Sequence, residues 1–175
     1  GQLVTGEVRA KLVPRDGVLE PDLASDTLPL AVVNRYAPAP PALAFVRNLG
    51  LRRGAIASSV AHDSHHVVAA GADRASLAAA VNAVFAMRGG LAVADGDRVE
   101  MLPLPIAGLM SDRPAEEVAD RYARLSARAR QLGSPLRAPF MTLSFLALLV
   151  IPALKLGDRG LFDARAFRFV PVTVD

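Results

Sequence analysis

Gly54 to Gly71 reads GAIASSVAHDSHHVVAAG and holds all three histidines of the chain, His62, His65 and His66. Ala55 to Val60 before the histidines and Val67 to Ala70 after them are apolar and rich in small or β-branched residues. Such runs suit buried strands. Between them lies a polar turn, with Asp63 and Ser64 among the histidines and Ser58 and Ser59 just upstream. Strand, polar turn, strand is a scaffold that presents a few reactive side chains from a rigid base.

Downstream, Asp73 is a good helix N-cap, since its carboxylate can accept the free first-turn N–H groups. Leu77, Val81, Val84, Phe85 and Arg88 follow at helical spacing, so they are expected to form one face of a helix that Gly89-Gly90 stops. Leu91 to Ala94 and Arg98 to Leu104 flank Asp95-Gly96-Asp97, a hairpin signal. Pro103 to Ser111, PLPIAGLMS, is apolar but irregular, which predicts packing against another surface. A second helix is expected from Asp112, with Pro114 in its first turn and Glu116 and Glu117 at its positive end. Val118, Tyr122, Leu125, Ala129 and Leu132 form its apolar stripe, and its arginines read as a solvated face. Phe140 to Ile151, FMTLSFLALLVI, reads as an extended core segment ended by Pro152. Gly157 to Gly160 is a turn, and Phe162, Phe167, Phe169 and Val170 close the chain's apolar pattern.

Upstream, residues 3–13 read as a first strand before the turn Pro14-Arg15-Asp16-Gly17, and residues 18–27 as irregular. Leu28 to Arg35 is a buried strand that ends in the polar cluster Asn34, Arg35 and Tyr36. Ala37 to Pro41, APAPP, is a loop, because proline lacks the ladder donor. Ala42 to Leu49 suits a strand or a short helix. The reading gives about six or seven strands and two principal helices, with too few crossovers for a doubly wound sheet. It predicts an α+β layered domain, with a mainly antiparallel or mixed sheet.

The totals agree. A chain of 175 residues with 52% apolar content suits a single domain over residues 1–175 with a real core. No apolar run reaches the roughly 18 residues that span a bilayer, so no membrane partner is expected. No basic-plus-hydrophobic leader follows Gly1, so no signal peptide is expected, and a first residue other than Met fits a fragment or a processed piece. The absence of cysteine excludes disulfides and thiolate chemistry and fits a cytoplasmic protein. A net charge of +3 and a pI near 9.9 suggest a nucleic-acid binder, but the arginines are dispersed, tryptophan is absent and aromatics are few. Nucleic acid is therefore not an expected partner.

His62-Asp63-Ser64-His65-His66 leaves three chemistries open. A metal site would need three or more protein ligands, and four residues this close seldom complete a shell alone, so no metal is assigned to the chain. An acid–base or substrate-contacting role would pair a histidine with Asp63 and the hydroxyls of Ser58, Ser59 or Ser64. A structural turn would spend the same groups on its own backbone.

GLRRGAIASSVAHDSHH, Leu104 to Ser111 and Pro139 to Leu148 stand in the same order as motifs of one known family. So do Gly89-Gly90-Leu91 with Asp95-Gly96, Lys155-Leu156 and Asp158-Arg159-Gly160-Leu161-Phe162-Asp163. Over about Leu30 to Val170 the chain resembles the C-terminal domain of the adenine deaminase family, within the amidohydrolase superfamily. The resemblance implies hydrolysis of adenine to hypoxanthine and ammonia in purine salvage. It also implies a metal centre, manganese or iron, held by a barrel domain outside this sequence. The expected partners are that barrel and a purine base, and the expected assembly is a homo-oligomer. Ser58, Ser59, His62, Asp63, Ser64 and His65 are the candidates for closing the barrel's active site, with Asn34 and Arg35 as a second cluster. No complete catalytic set is expected in this chain. The alternatives are a scaffold or oligomerisation domain, and a standalone small-ligand-binding domain.

Overall fold

The computed structural model describes residues 4–174. Its centre is a six-stranded sheet in the order β4-β3-β6-β5-β7-β8. The strands are β3 (Leu28–Val33), β4 (Ala42–Val46), β5 (Ala55–Ser58), β6 (Val67–Gly71), β7 (Gly90–Asp95) and β8 (Arg98–Pro103). All pairings within it are antiparallel. Ala55 pairs with Gly71 and Ser58 with Val68, so residues 59–66, the histidine turn, are the connection of the central β5–β6 hairpin.

Every residue of β5 and β6 is buried, because helices cover both faces of the sheet. Side chains alternate between the faces. Ala55, Ala57, Val67, Ala69, Ala92 and Ala94 meet Ala80 and Val84 of α1 (Arg74–Ala86) on one face. Leu30, Val32, Ile56, Val68, Leu91 and Val93 meet α2 (Ala115–Gln131) and α3 (Pro139–Phe145) on the other. The result is the expected α+β layered domain, with three layers and a largely antiparallel sheet.

A second sheet holds β9 (Leu154–Gly157), β10 (Gly160–Asp163) and β11 (Arg168–Phe169), and Leu156 joins it to the main core. A small hairpin of β1 (Pro14–Arg15) and β2 (Val18–Leu19) turns at Asp16-Gly17. Asp73 caps α1 as expected, its carboxylate accepting from the Ser76 N–H at 2.7 Å. Such a cap contributes about 1 kcal/mol. No helix among the described residues is long and apolar enough to cross a membrane.

Several expectations are corrected. Phe140 to Ile151 is not extended: α3 begins with Pro139 in its first turn, where a missing N–H costs nothing. Phe140, Leu143 and Ser144 are buried and Met141 is exposed, a helical spacing hidden within an almost wholly apolar run. The strand expected over residues 3–13 is absent from its described part, 4–13, and Leu3 lies outside the described residues. Only Thr5 there exchanges main-chain hydrogen bonds with a distant segment, with Pro152 and Ala153. Residues 18–27 are more ordered than expected, carrying β2 and an Asp22–Thr27 bridge. Helix α2 starts at Ala115, with Pro114 at the capping position. The buried face of α1 is Ser76, Ala80 and Val84, and Phe85 is exposed, because small side chains let the helix sit close on an alanine-rich sheet. On α2, Arg128 is mostly buried rather than solvated, pairing with Asp95 at 2.7 Å and Glu100 at 3.4 Å across the β7–β8 hairpin.

Lys155 is 2% exposed, and its Nζ donates to the Phe145 carbonyl at the end of α3 at 3.0 Å. Its stem therefore fills core space between β9 and α3 while its head holds the helix end. Lys155→Ala is expected to lower stability by about 2–5 kcal/mol, the range for truncating a long buried side chain. Urea denaturation of the purified chain measures it, and a loss under about 1 kcal/mol would contradict this packing role.

Candidate functional site

The histidine turn is closed from within. The His65 N–H donates to the Ala61 carbonyl at 2.7 Å, and the Ala61 N–H donates to His65 Nδ1 at 3.3 Å. His65 adopts φ 53°, the left-handed region that a β-carbon disfavours. The ring of His62 packs on Phe145 of α3 at 4.9 Å and edge-on to His65 at 5.8 Å. Asp63 and Ser64, at the tip, are exposed.

Ser58 and Ser59 sit below the tip and are buried. The Ser58 hydroxyl accepts from the Val60 N–H at 3.0 Å. The Ser59 hydroxyl accepts from the Gly90 N–H at 2.8 Å and donates to the Gly108 carbonyl at 2.6 Å. Both hydroxyls are thus engaged with main chain, and Ser59 ties the turn to β7 and to the 103–111 segment.

The second predicted cluster, at the end of β3, meets the same turn. The Asn34 side chain accepts from the N–H groups of Tyr36 and Ala37, a local turn that asparagine favours. That turn brings Arg35 and Tyr36 over the histidines. Arg35 Nε donates to the His65 carbonyl at 2.6 Å, and Nη2 donates to the Ala107 carbonyl at 2.6 Å and to the Tyr36 hydroxyl at 3.1 Å. The Tyr36 hydroxyl donates in turn to the Ser64 carbonyl at 3.0 Å. A β-carbon on Gly108, at φ +74°, would lie 2.3 Å from Arg35 Nη1, so glycine is needed there for the guanidinium to pass.

Asp158, in the β9–β10 turn, accepts from Asn34 Nδ2 at 2.9 Å and faces His66 Nε2 at 3.5 Å. His66 is buried, its ring 5.3 Å from that of Tyr36, and its Nδ1 has no hydrogen-bond partner among the described residues. The structure therefore joins His62, Asp63, Ser64, His65, Asn34 and Arg35 in one region, with Ser58 and Ser59 beneath it. Tyr36, of the polar cluster at the end of β3, and the Ala107–Gly108 loop, of the segment expected to pack against another surface, belong to the same region, as does Asp158; none of them was singled out as a site residue. Tyr36 and the Ala107 loop meet the others through main-chain oxygens, which leave no side-chain pattern to read, while Asp158 reaches Asn34 and His66 with its carboxylate across more than ninety residues of sequence.

The donors do not fit the manganese or iron that the family resemblance implies. His65 Nδ1 is occupied by a backbone N–H, and His66 is buried against Asp158. Among the described residues no group of three or more His, Cys, Asp or Glu side chains could hold a metal ion.

Burial, then the nearby His62 and Arg35 charges, hold the His65 pKa below its ordinary 6.5, against an opposite pull from Asp63. The neutral imidazole is thus favoured in the fold, with Nδ1 as acceptor and the proton on Nε2. A lowered folded pKa means that the unfolded chain binds the proton more tightly. The His65 contribution to stability is therefore complete above pH 6.5 and is lost as pH falls through the folded pKa. NMR titration of the histidine ring carbons is expected to give a His65 midpoint below 6.5, and a midpoint at or above 6.5 would contradict the burial argument. His65→Asn is expected to flatten the loss of stability on this acid limb.

The family described as adenine deaminase C-terminal domain matches residues 2–168. The chain is 58% identical over 176 residues to an adenine deaminase of Salinibacter ruber, covering 99% of this chain and 32% of that protein. It is 50% identical over 170 residues to an adenine deaminase of Methanosarcina barkeri, covering 97% of this chain and 31% of the relative. With an adenine deaminase of Sulfurovum sp. the identity is 55% over 148 residues, 84% of this chain and 28% of the relative. The chain thus spans about a third of the length of these relatives. With the family matched over almost the whole domain, the chain belongs to the adenine deaminase C-terminal domain family.

Proposed function

We propose that this domain works as part of a longer purine aminohydrolase that converts adenine and water to hypoxanthine and ammonia. In this reading its histidine turn helps close an active site whose metal-holding part lies outside this chain. One observation carries the reading. The tip of a hairpin at the centre of the sheet presents His62, Asp63, Ser64 and His65, and large exposed apolar side chains lie near it. Tyr36 (63% exposed) and Ile106 (45%) lie beside the grip of Arg35. Val150 (65%) and Phe167 (77%) line, with Asp63, Ser64, Leu149 and Phe162, a cleft of about 360 Å³. Exposed apolar surface next to a polar tip is what a covered interface leaves when its partner is absent.

The turn's own groups suit contact with a purine base. Neutral His65 offers an Nε2 proton to a ring nitrogen, and the Asp63 carboxylate accepts from an exocyclic amine. Packing the turn against the rest of the enzyme would also exclude water, which strengthens both contacts. Manganese or iron, in this reading, belongs to the barrel. A purine salvage role, a cytoplasmic setting and a homo-oligomeric assembly are part of the same proposal and rest on the family resemblance.

A scaffold role is the second reading, and the buried Ser59 hydroxyl favours it, since it knots the turn to Gly90 and Gly108. Alanine at His62 and at His65 in the longer enzyme separates the two. The active-site reading expects kcat to fall on the order of 10²-fold for both variants, with some loss of Tm at His65→Ala from the Ala61 bond that it removes. Wild-type kcat and KM with lowered Tm or lost assembly would support the scaffold instead. Purified alone with Mn²⁺, this chain is expected to produce no hypoxanthine from adenine, and turnover would show that it builds a working site by itself.

A further inference from the structure

We propose that Arg35 is the positioning residue of the histidine turn, its guanidinium setting the main chain of His65 at a fixed distance from the Ala107 loop. The proposal rests on the active-site reading above for its consequence in catalysis, but not for its geometry. Three segments far apart in sequence converge on this one side chain. Arg35 leaves the end of β3, Nε takes the His65 carbonyl and Nη2 takes the Ala107 carbonyl, each at 2.6 Å. Short bonds from a charged donor to carbonyl oxygens are stronger than neutral ones. A planar guanidinium also fixes the angle between its acceptors, which a lysine ammonium cannot do.

Both residues whose carbonyls it takes are left-handed, His65 and, at φ 57°, Ala107. His65 sits at φ 53°, a conformation that a β-carbon disfavours. It persists because His65 is bonded on both sides, its Nδ1 taken by the Ala61 N–H and its carbonyl by Arg35. Tyr36 extends the grip by one residue, its hydroxyl accepting from Arg35 and donating to the Ser64 carbonyl. The Arg35 guanidinium carbon also lies 4.8 Å from the centre of the Tyr36 ring. The path for the guanidinium is itself kept open, since Gly108 has no side chain to block it. Arg35 thus meets main chain and Tyr36 and acts through the turn. It is a positioning residue and not a catalytic one.

The test starts with the chain itself, which needs no assumption about the reaction. Arg35→Met keeps the apolar stem and deletes the donors. Its His65 Cα and Cβ chemical shifts are expected to move away from left-handed values. Its His65 pKa is expected to rise, because the Arg35 charge and the burial both hold it down. Arg35→Lys, which keeps the charge but cannot span both carbonyls, is expected to show the backbone change with a smaller pKa change. This variant also serves if Arg35→Met does not fold. Unchanged His65 shifts in the folded variants would overturn the proposal. In the longer enzyme, Arg35→Lys is expected to lower kcat on the order of 10-fold or more with KM moved much less, since displacement by about 1 Å misaligns a site. Combined with His65→Ala, it is expected to add little further loss, because the two act as one unit. If His65 moves in the isolated chain while kcat stays at the wild-type value, the grip stands and the active-site reading falls.

Discussion

The antiparallel pairing of β5 with β6 is the constraint on which the molecule depends. These strands lie at the centre of the sheet, every residue in them is buried, and each has a further strand on its outer side. Alanine on one face admits α1 at close range, while Ile56 and Val68 on the other anchor the larger core beneath α2 and α3. Because side chains alternate with period two, a one-residue slip would exchange these faces and break both packings at once. The register is thereby fixed, and with it the position of the turn that joins the two strands. A loop hung between the two most buried strands has its ends held more firmly than one at a sheet edge.

That placement explains how a turn with three histidines, a carboxylate and three serines nearby can be rigid without consuming all of its chemistry. Ser58 and Ser59, at the buried root, satisfy the backbone. Arg35 and Tyr36 grip the carbonyls of His65 and Ser64 from outside. The polar groups thus sort by depth. Those below hold main chain, and those at the tip, Asp63 and Ser64, remain exposed.

Much of this was legible in the sequence, for physical reasons. The two apolar runs flanking a polar centre mark the β5–β6 hairpin, because neither a helix period nor a turn residue interrupts them. Asp73, Gly89-Gly90 and Asp95-Gly96 are local signals whose mechanisms act within a few residues, and the structure places a cap, a stop and a hairpin there. The run from Phe140 to Ile151 was misread because a segment almost wholly apolar shows neither period two nor period 3.6. Only tertiary burial distinguishes Phe140 and Leu143 from Met141. Residues 4–13 were misread for a different reason. Their composition suits a strand, yet beyond Thr5 they have no ladder to join. The meeting of Arg35 with the turn lay beyond sequence reasoning. Thirty residues separate its donor from the His65 carbonyl, and a main-chain acceptor is the same whatever side chain stands there.

The choice of main-chain acceptors decides how much chemistry such a site keeps. Had Arg35 paired with Asp63, it would have neutralised the carboxylate that the tip presents, and the grip would have used up the chemistry it was meant to position. By taking carbonyls instead, it holds the main chain at His65 and Ser64 while leaving the Asp63 carboxylate and the Ser64 hydroxyl at the surface. The cost is a left-handed histidine, offset by the bond to its own ring nitrogen and by the bond to Arg35. A cationic clamp on main-chain oxygens therefore resolves the conflict between rigidity and availability that any polar loop presented to a partner must meet.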